Sequence, residues 1–145
     1  MSLWSILDIA SLKLNGCFSL KKLAHTLLEK GPHKLEKTSR RVRGLYDGIY
    51  VFDTTEARFV WEHPYYPQFY IPNSAVQNAV LTKDESVDEE ESAFLATLKG
   101  KHKSTDRIIV FEKGPLAGLV RFEFAALGKP IISNYRTVRF LNCPR

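Results

Sequence analysis

The chain has 145 residues, 44% of them hydrophobic and 12% aromatic, which suits one ordinary core and excludes a wholly disordered protein. Its net charge of +5 is modest, but the signs are segregated: Lys22, Lys30, Lys34, Lys37, Arg40, Arg41 and Arg43 crowd the first third, while Asp84, Glu85, Asp88, Glu89, Glu90 and Glu91 form one acidic run. Solvated surface segments explain this better than a nucleic-acid footprint, because the basic stretch has no accompanying nucleic-acid motif.

Residues 1–16 read as a short amphipathic segment, apolar at Leu3, Trp4, Ile6, Leu7, Ile9 and Ala10. Asp8 interrupts it and no basic residue precedes it, unlike a secretory signal, and no run is long enough to cross a membrane. Cys17 and Cys143 lie outside any metal-ligand spacing, so an intracellular, cytoplasmic setting without a disulfide framework is expected. From residue 19 to 30, Leu20, Leu23, Ala24, Leu27 and Leu28 recur on one face of a 3.6-residue period. Ser19 is placed to cap this helix and Gly31-Pro32 to stop it. Residues 32–39 read as a polar, basic connector.

The period then changes. Two β-rich runs, 41–46 and 49–54, flank Asp47-Gly48, the strongest short hairpin signal, because both residues of such a loop take positive φ. Residues 57–62 return as a third strand, with Ala57, Phe59 and Trp61 on one face and Arg58, Val60 and Glu62 on the other. Pro64 ends it, since proline removes a ladder donor, and 68–71 form a fourth strand stopped by Pro72. A short helix is expected over 75–81, capped by Asn73 or Ser74. The acidic stretch 84–92 reads as a loop too charged to bury. Strands follow at 93–99, 107–111 and 119–124, and residues 128–145 read as a tail. The division expected is an N-terminal helical extension with its connector (1–40), a β-domain (41–127) and that tail. The fold class is mainly β (α+β), an antiparallel sheet with helices to one side.

Several separated blocks carry a family likeness. Arg41-Val42-Arg43, Tyr46-Asp47-Gly48, Asp53-Thr54, Ala57, Val60-Trp61-Glu62, Tyr66-Pro67, Phe69-Tyr70-Ile71-Pro72 and Val76 occur in order, and Leu116-Ala117-Gly118-Leu119-Val120 with Phe122 closes the series. Over residues 41–124 the chain resembles the family catalogued as domain of unknown function 427. The resemblance implies a curved antiparallel β-sheet of the β-tent type. The family is also filed under a nucleotidyltransferase-like heading, which implies an enzyme acting on nucleotide-like substrates. In fungal relatives the domain is duplicated, and this chain is similar to the first copy, with 128–145 as a truncated or alternative end. Many members carry a Cys-Pro-Tyr-Lys-Gly block where this chain has its acidic run.

The residues themselves point to binding rather than catalysis. His63 beside Glu62 suggests an acid/base pair, but strand neighbours face opposite ways. Asp53 at a turn suits an Asx contact more than metal binding or general-base work. Neither a glycine-rich phosphate loop nor a nucleophile elbow occurs. Trp61, Tyr65, Tyr66, Phe69 and Tyr70 are the richest group; some must be core, and the rest could line a pocket rimmed by Arg43, Arg58 or Gln68. Tyr65 and Tyr66, in a proline-bounded loop, are the first candidates for contact with a ligand. The function expected is a small-molecule- or protein-binding β-module, with no cofactor or metal. A partner-docking or membrane role for residues 1–28 is a further expectation, resting on their apolar positions.

Overall fold

A computed structural model describes residues 19–77 and 81–127. The expected N-terminal amphipathic segment, the C-terminal tail and both cysteines lie outside these residues. The first element, α1 (Leu20–Lys30), starts where Ser19 Oγ accepts the N–H of Lys22 and ends at Gly31, whose N–H donates to the carbonyl of Leu27. Nine strands follow: β1 (Lys34–Lys37), β2 (Val42–Tyr46), β3 (Ile49–Thr54), β4 (Arg58–Trp61), β5 (Gln68–Pro72), β6 (Leu81–Ser86), β7 (Ala93–Lys99), β8 (Ser104–Phe111) and β9 (Leu119–Phe122). A 3₁₀ turn (Asn73–Ala75) follows β5, and a single helical turn, α2 (Phe124–Leu127), follows β9. The architecture is mainly β, and every strand pairing is antiparallel.

Seven strands form one sheet in the order β1-β4-β5-β9-β8-β7-β6, while β2 and β3 make a separate ribbon. The central strands are buried on both faces, and alternation sorts their side chains into two cores. Phe69, Ile71, Ile108, Val110, Val120 and Phe122 join Val42, Tyr46, Val51 and Phe52 of the ribbon. Val60, Tyr70, Ile109, Phe111 and Leu119 join Leu20, Leu23, Ala24 and Leu27 of α1 on the other side. The apolar stripe of the helix thus covers the sheet, lying against β7 and β8.

The ribbon is held over the sheet by its turn and its middle. Asp47 and Gly48 both take positive φ, as the two-residue loop requires. The Asp47 carboxylate accepts the N–H groups of His102 and Lys103 in the β7–β8 turn. Those hydrogen bonds, with His102 first, hold its pKa below the ordinary carboxylate value against an opposing effect of desolvation. Gly44 lies opposite Phe52, whose ring crosses the space a Cβ would need and packs 5.0 Å from that of Phe122.

Four local expectations are corrected. The connector contains a strand: β1 pairs with β4 at the rim of the sheet, and its four residues are all exposed, which is why its composition is polar. No helix starts at Ala75. Asn73–Ala75 form a 3₁₀ turn, Val76 is extended and bridges to Phe52, and Leu81 opens β6. The acidic stretch is divided: Asp84 and Glu85 belong to edge strand β6, and at its end Ser92 is buried, with its N–H donated to Asp88 Oδ1. Phe124 leaves β9 and begins α2, which turns Leu127 into the core on the ribbon side.

Candidate functional site

The α1-covered face of the sheet carries one concentrated polar group inside the apolar core. Strand alternation puts Tyr70 (β5) and Arg121 (β9) on this face, directly opposite one another in register. Glu62, next after β4, reaches the same point. Its Oε1 accepts the hydroxyl of Tyr70 at 2.9 Å and Nε of Arg121, and its Oε2 accepts Nη2 of Arg121 at 3.2 Å. This is a forked guanidinium–carboxylate pair with a phenol on its flank. It is withdrawn from solvent: the side chain of Glu62 is 7% exposed and that of Arg121 12%. Tyr70 is wholly buried, and its ring lies nearly parallel to that of Phe111 at 6.0 Å.

Burial drives the titration of this group. Desolvation, reinforced by the Glu62 charge, pushes the Tyr70 hydroxyl well above the usual phenol range, so it acts as a proton-bearing donor, not a base. Burial works against the charge of Arg121, but the hydrogen bond and charge of Glu62 outweigh it and raise its pKa. With three hydrogen bonds arriving at Glu62, its two oxygens are occupied in orienting the arginine. One nitrogen is left over. Nη1 of Arg121 is buried and has no hydrogen-bond acceptor among the described residues.

A second ion pair, Arg107 (β8) with Glu123, adjoins the first, and the charge of Glu123 also acts on Arg121. These groups are more open, at 23% and 34% side-chain exposure. Side-chain exposure therefore rises along the group from Glu62 to Glu123.

The connection that begins at Glu62 also carries the aromatic turn. His63 Nδ1 accepts the N–H of Tyr65 at 3.3 Å, and the rings of His63 and Tyr66 meet edge to face at 4.1 Å. Tyr65 projects into solvent, 85% exposed, beside this packed pair.

The residues named from sequence therefore fall into separate places. Glu62 and Tyr70 converge. Trp61 belongs to the other side of β4 and packs between Phe59 and the ammonium of Lys34, 5.0 Å from its ring centroid. Arg58 sits on β4 opposite Tyr70, half-buried. Asp53 and Arg43 are on the ribbon, paired across it. Arg41 donates to both oxygens of Asp53 at 2.8 and 2.7 Å, and Arg43 Nε stands 3.2 Å from Oδ2 without the alignment of a hydrogen bond. Arg41 first, then desolvation in opposition, and Arg43 leave the Asp53 carboxyl below its ordinary range. Arg121 was missed by sequence reasoning. Its only signal was a charged residue inside Leu119-Val120-Arg121-Phe122, where the strand is apolar on both sides.

Among the described residues no group of three or more His, Cys, Asp or Glu could hold a metal ion, and no helix is long and apolar enough to cross a membrane. The family model named NTP_transf_9, described as Domain of unknown function (DUF427), matches residues 34–113. The chain belongs to the DUF427 family. The DUF427 match opens at the first residue of β1 and closes just after β8, so it spans Glu62 and Tyr70 but ends before Arg121. No curated protein matches the chain.

Proposed function

We propose that this DUF427 domain is a ligand-binding β-module whose site is the Glu62–Tyr70–Arg121 group together with the aromatic turn that follows Glu62. The observation that carries this reading is the charged, hydrogen-bonded Glu62–Tyr70–Arg121 group set inside an apolar core. A buried ion pair adds little net stability over apolar packing, so its retention inside this core favours a role in binding. Glu62 and Tyr70 hold the guanidinium rigidly, which removes the ordering cost of binding in advance. The exposed Tyr65, packed beside His63, supplies an aromatic surface on the connection that begins at Glu62. The group orients and binds.

A thermal-stability screen of small polar fragments tests this, with nucleoside triphosphates and magnesium included and hits located by backbone amide NMR. Stabilising fragments that shift signals at residues 62–68 and 119–123 are expected. A screen without hits, or with hits only elsewhere, overturns the reading. A response confined to nucleotide with magnesium favours the nucleotide-handling enzyme that the family heading suggests.

A further inference from the structure

We propose that Lys37 and Arg58 form an anion site at the rim of the sheet, on the face that carries Tyr70 and Arg121, and that its ligand is a phosphate dianion. The site is separate from the Glu62–Tyr70–Arg121 group. The ladders set four side chains in one row: Lys37 of β1 is the direct partner of Arg58 of β4, Arg58 of Tyr70, and Tyr70 of Arg121. Direct partners share a face, so Arg58 stands beside one cation, Lys37, with another, Arg121, beyond Tyr70. Like charges directly opposite one another destabilise a ladder, and a negative group between them relieves the repulsion. No carboxylate does so here. Among the described residues Glu62 is paired with Arg121, Glu36 with Lys34, and Asp53 with Arg41 and Arg43. Glu56, the carboxylate nearest to Arg58 in sequence, is exposed and forms no ion pair among the described residues.

Lys37 alone has an ordinary explanation, because a lysine on a rim strand discourages pairing with other sheets. Arg58 does not share it. It lies one strand in and is half-buried, which restricts where its charge can go. The chain after β1 keeps to the same corner: the N–H of Thr38 donates to the carbonyl of Ala57, next to Arg58, and Thr38 Oγ1 accepts the N–H of half-buried Arg40. The basic connector is thereby fastened along the start of β4. It brings Lys37, Arg40 and Arg58 to one corner against Glu56 alone, three positive charges less one. A phosphate group carries up to two negative charges near neutral pH, and its oxygens suit the planar fork of an arginine with a lysine as point charge. A carboxylate, with one charge, answers only one of the two paired cations. Because Lys37 is exposed on a rim strand, a bound anion keeps part of its hydration, so the desolvation cost stays below that of a buried ion.

The test is an NMR titration of the full chain at about pH 7.5 with inorganic phosphate, adenosine monophosphate and acetate, the ionic strength held constant with sodium chloride. The Arg58 Nε–H signal and the backbone amides of residues 37–40 and 57–59 report the contact, and the whole amide spectrum reports the fold. Both phosphates are expected to shift these signals saturably, and acetate to bind at least about tenfold more weakly. Arg58→Gln is expected to weaken phosphate about tenfold or more, and Arg58→Lys to recover only part of the affinity, since it returns the charge without the fork. Lys37→Glu, which sets a carboxylate opposite Arg58, is expected to abolish the phosphate shifts and to raise the denaturant midpoint. Tighter binding of adenosine monophosphate assigns the site to a phosphate ester, and equal binding to the phosphate group by itself; either supports the inference. Acetate binding as tightly as phosphate, shifts that persist unchanged in Arg58→Gln, or no saturable shift at these residues overturns it. The fragment screen is read at residues 62–68 and 119–123, so the two sites stand or fall separately.

Discussion

The carboxylate of Asp47 occupies the space that Gly100 leaves empty. A Cβ at Gly100 would stand 2.6 Å from Cβ of Asp47 and 2.8 Å from its Oδ2, in the same turn whose N–H groups that carboxylate accepts. The ribbon and the sheet, which share no strand ladder, are thus joined at a point where one residue must have no side chain. Gly100→Ala is expected to force the two turns apart and cost roughly 1–3 kcal/mol, read as a lowered denaturant midpoint.

Acid should weaken the same joint. Asp47, Asp53 and Asp88 all have pKa values depressed below 3.8 in the folded protein, by hydrogen bonds from His102, Arg41 and Ser92 respectively as the foremost cause. A depressed carboxylate contributes stability that is fully present above its unfolded value and lost as pH falls through its folded value. The denaturant midpoint is expected to decline below about pH 4. In Asp47→Asn the decline is expected to be shallower.

Glu62 and Arg121 are interdependent. Glu62→Leu or Arg121→Met alone leaves a buried group without its counterpart and is expected to cost roughly 3–5 kcal/mol. Glu62→Leu combined with Arg121→Met removes both charges and is expected to cost less than the two single changes added together. A double-mutant cycle in denaturant measures the coupling.

Gly44 is needed for a close approach. A Cβ there would lie 2.5 Å from Cζ of Phe52, whose ring is locked against Phe122. Gly44→Ala is expected to destabilise by roughly 1–3 kcal/mol and to perturb NMR signals on both aromatic residues.

Tyr65 is the contrast. Exposed as it is, Tyr65→Ala should change stability by no more than about 0.5 kcal/mol while weakening any ligand that uses the turn. A stability loss of the size seen at Gly44 would show that the ring is structural.

The elements with local grammar are legible in the sequence. The stripe of α1, the cap at Ser19, the Asp47-Gly48 loop and the alternation of β4 are each set by neighbours in sequence, and each is present. The rim strands β1 and β6 were not readable, because a strand with an open edge carries lysine and acidic residues in place of an apolar alternation. In the candidate site, Glu62 and Tyr70 were named individually, but their joining through Arg121 spans 59 residues from Glu62. Register across β5 and β9 brings them together, and no local spacing encodes that. Trp61 was grouped with Tyr70 by composition, and the pleat of β4 sends it to the opposite side.

The position of β9 bears on how the domain comes into being. It is the last strand described in the chain, yet it lies between β5 and β8 and makes the only ladder joining β1-β4-β5 to β8-β7-β6 among the described residues. A ribosome-bound chain that has not yet released Leu119–Phe122 holds two three-stranded pieces, each with an apolar strand left open along one side. Such edges invite pairing with other nascent chains until β9 arrives. Its arrival, which also delivers Arg121 to Glu62, closes the sheet and assembles the proposed binding group in one event.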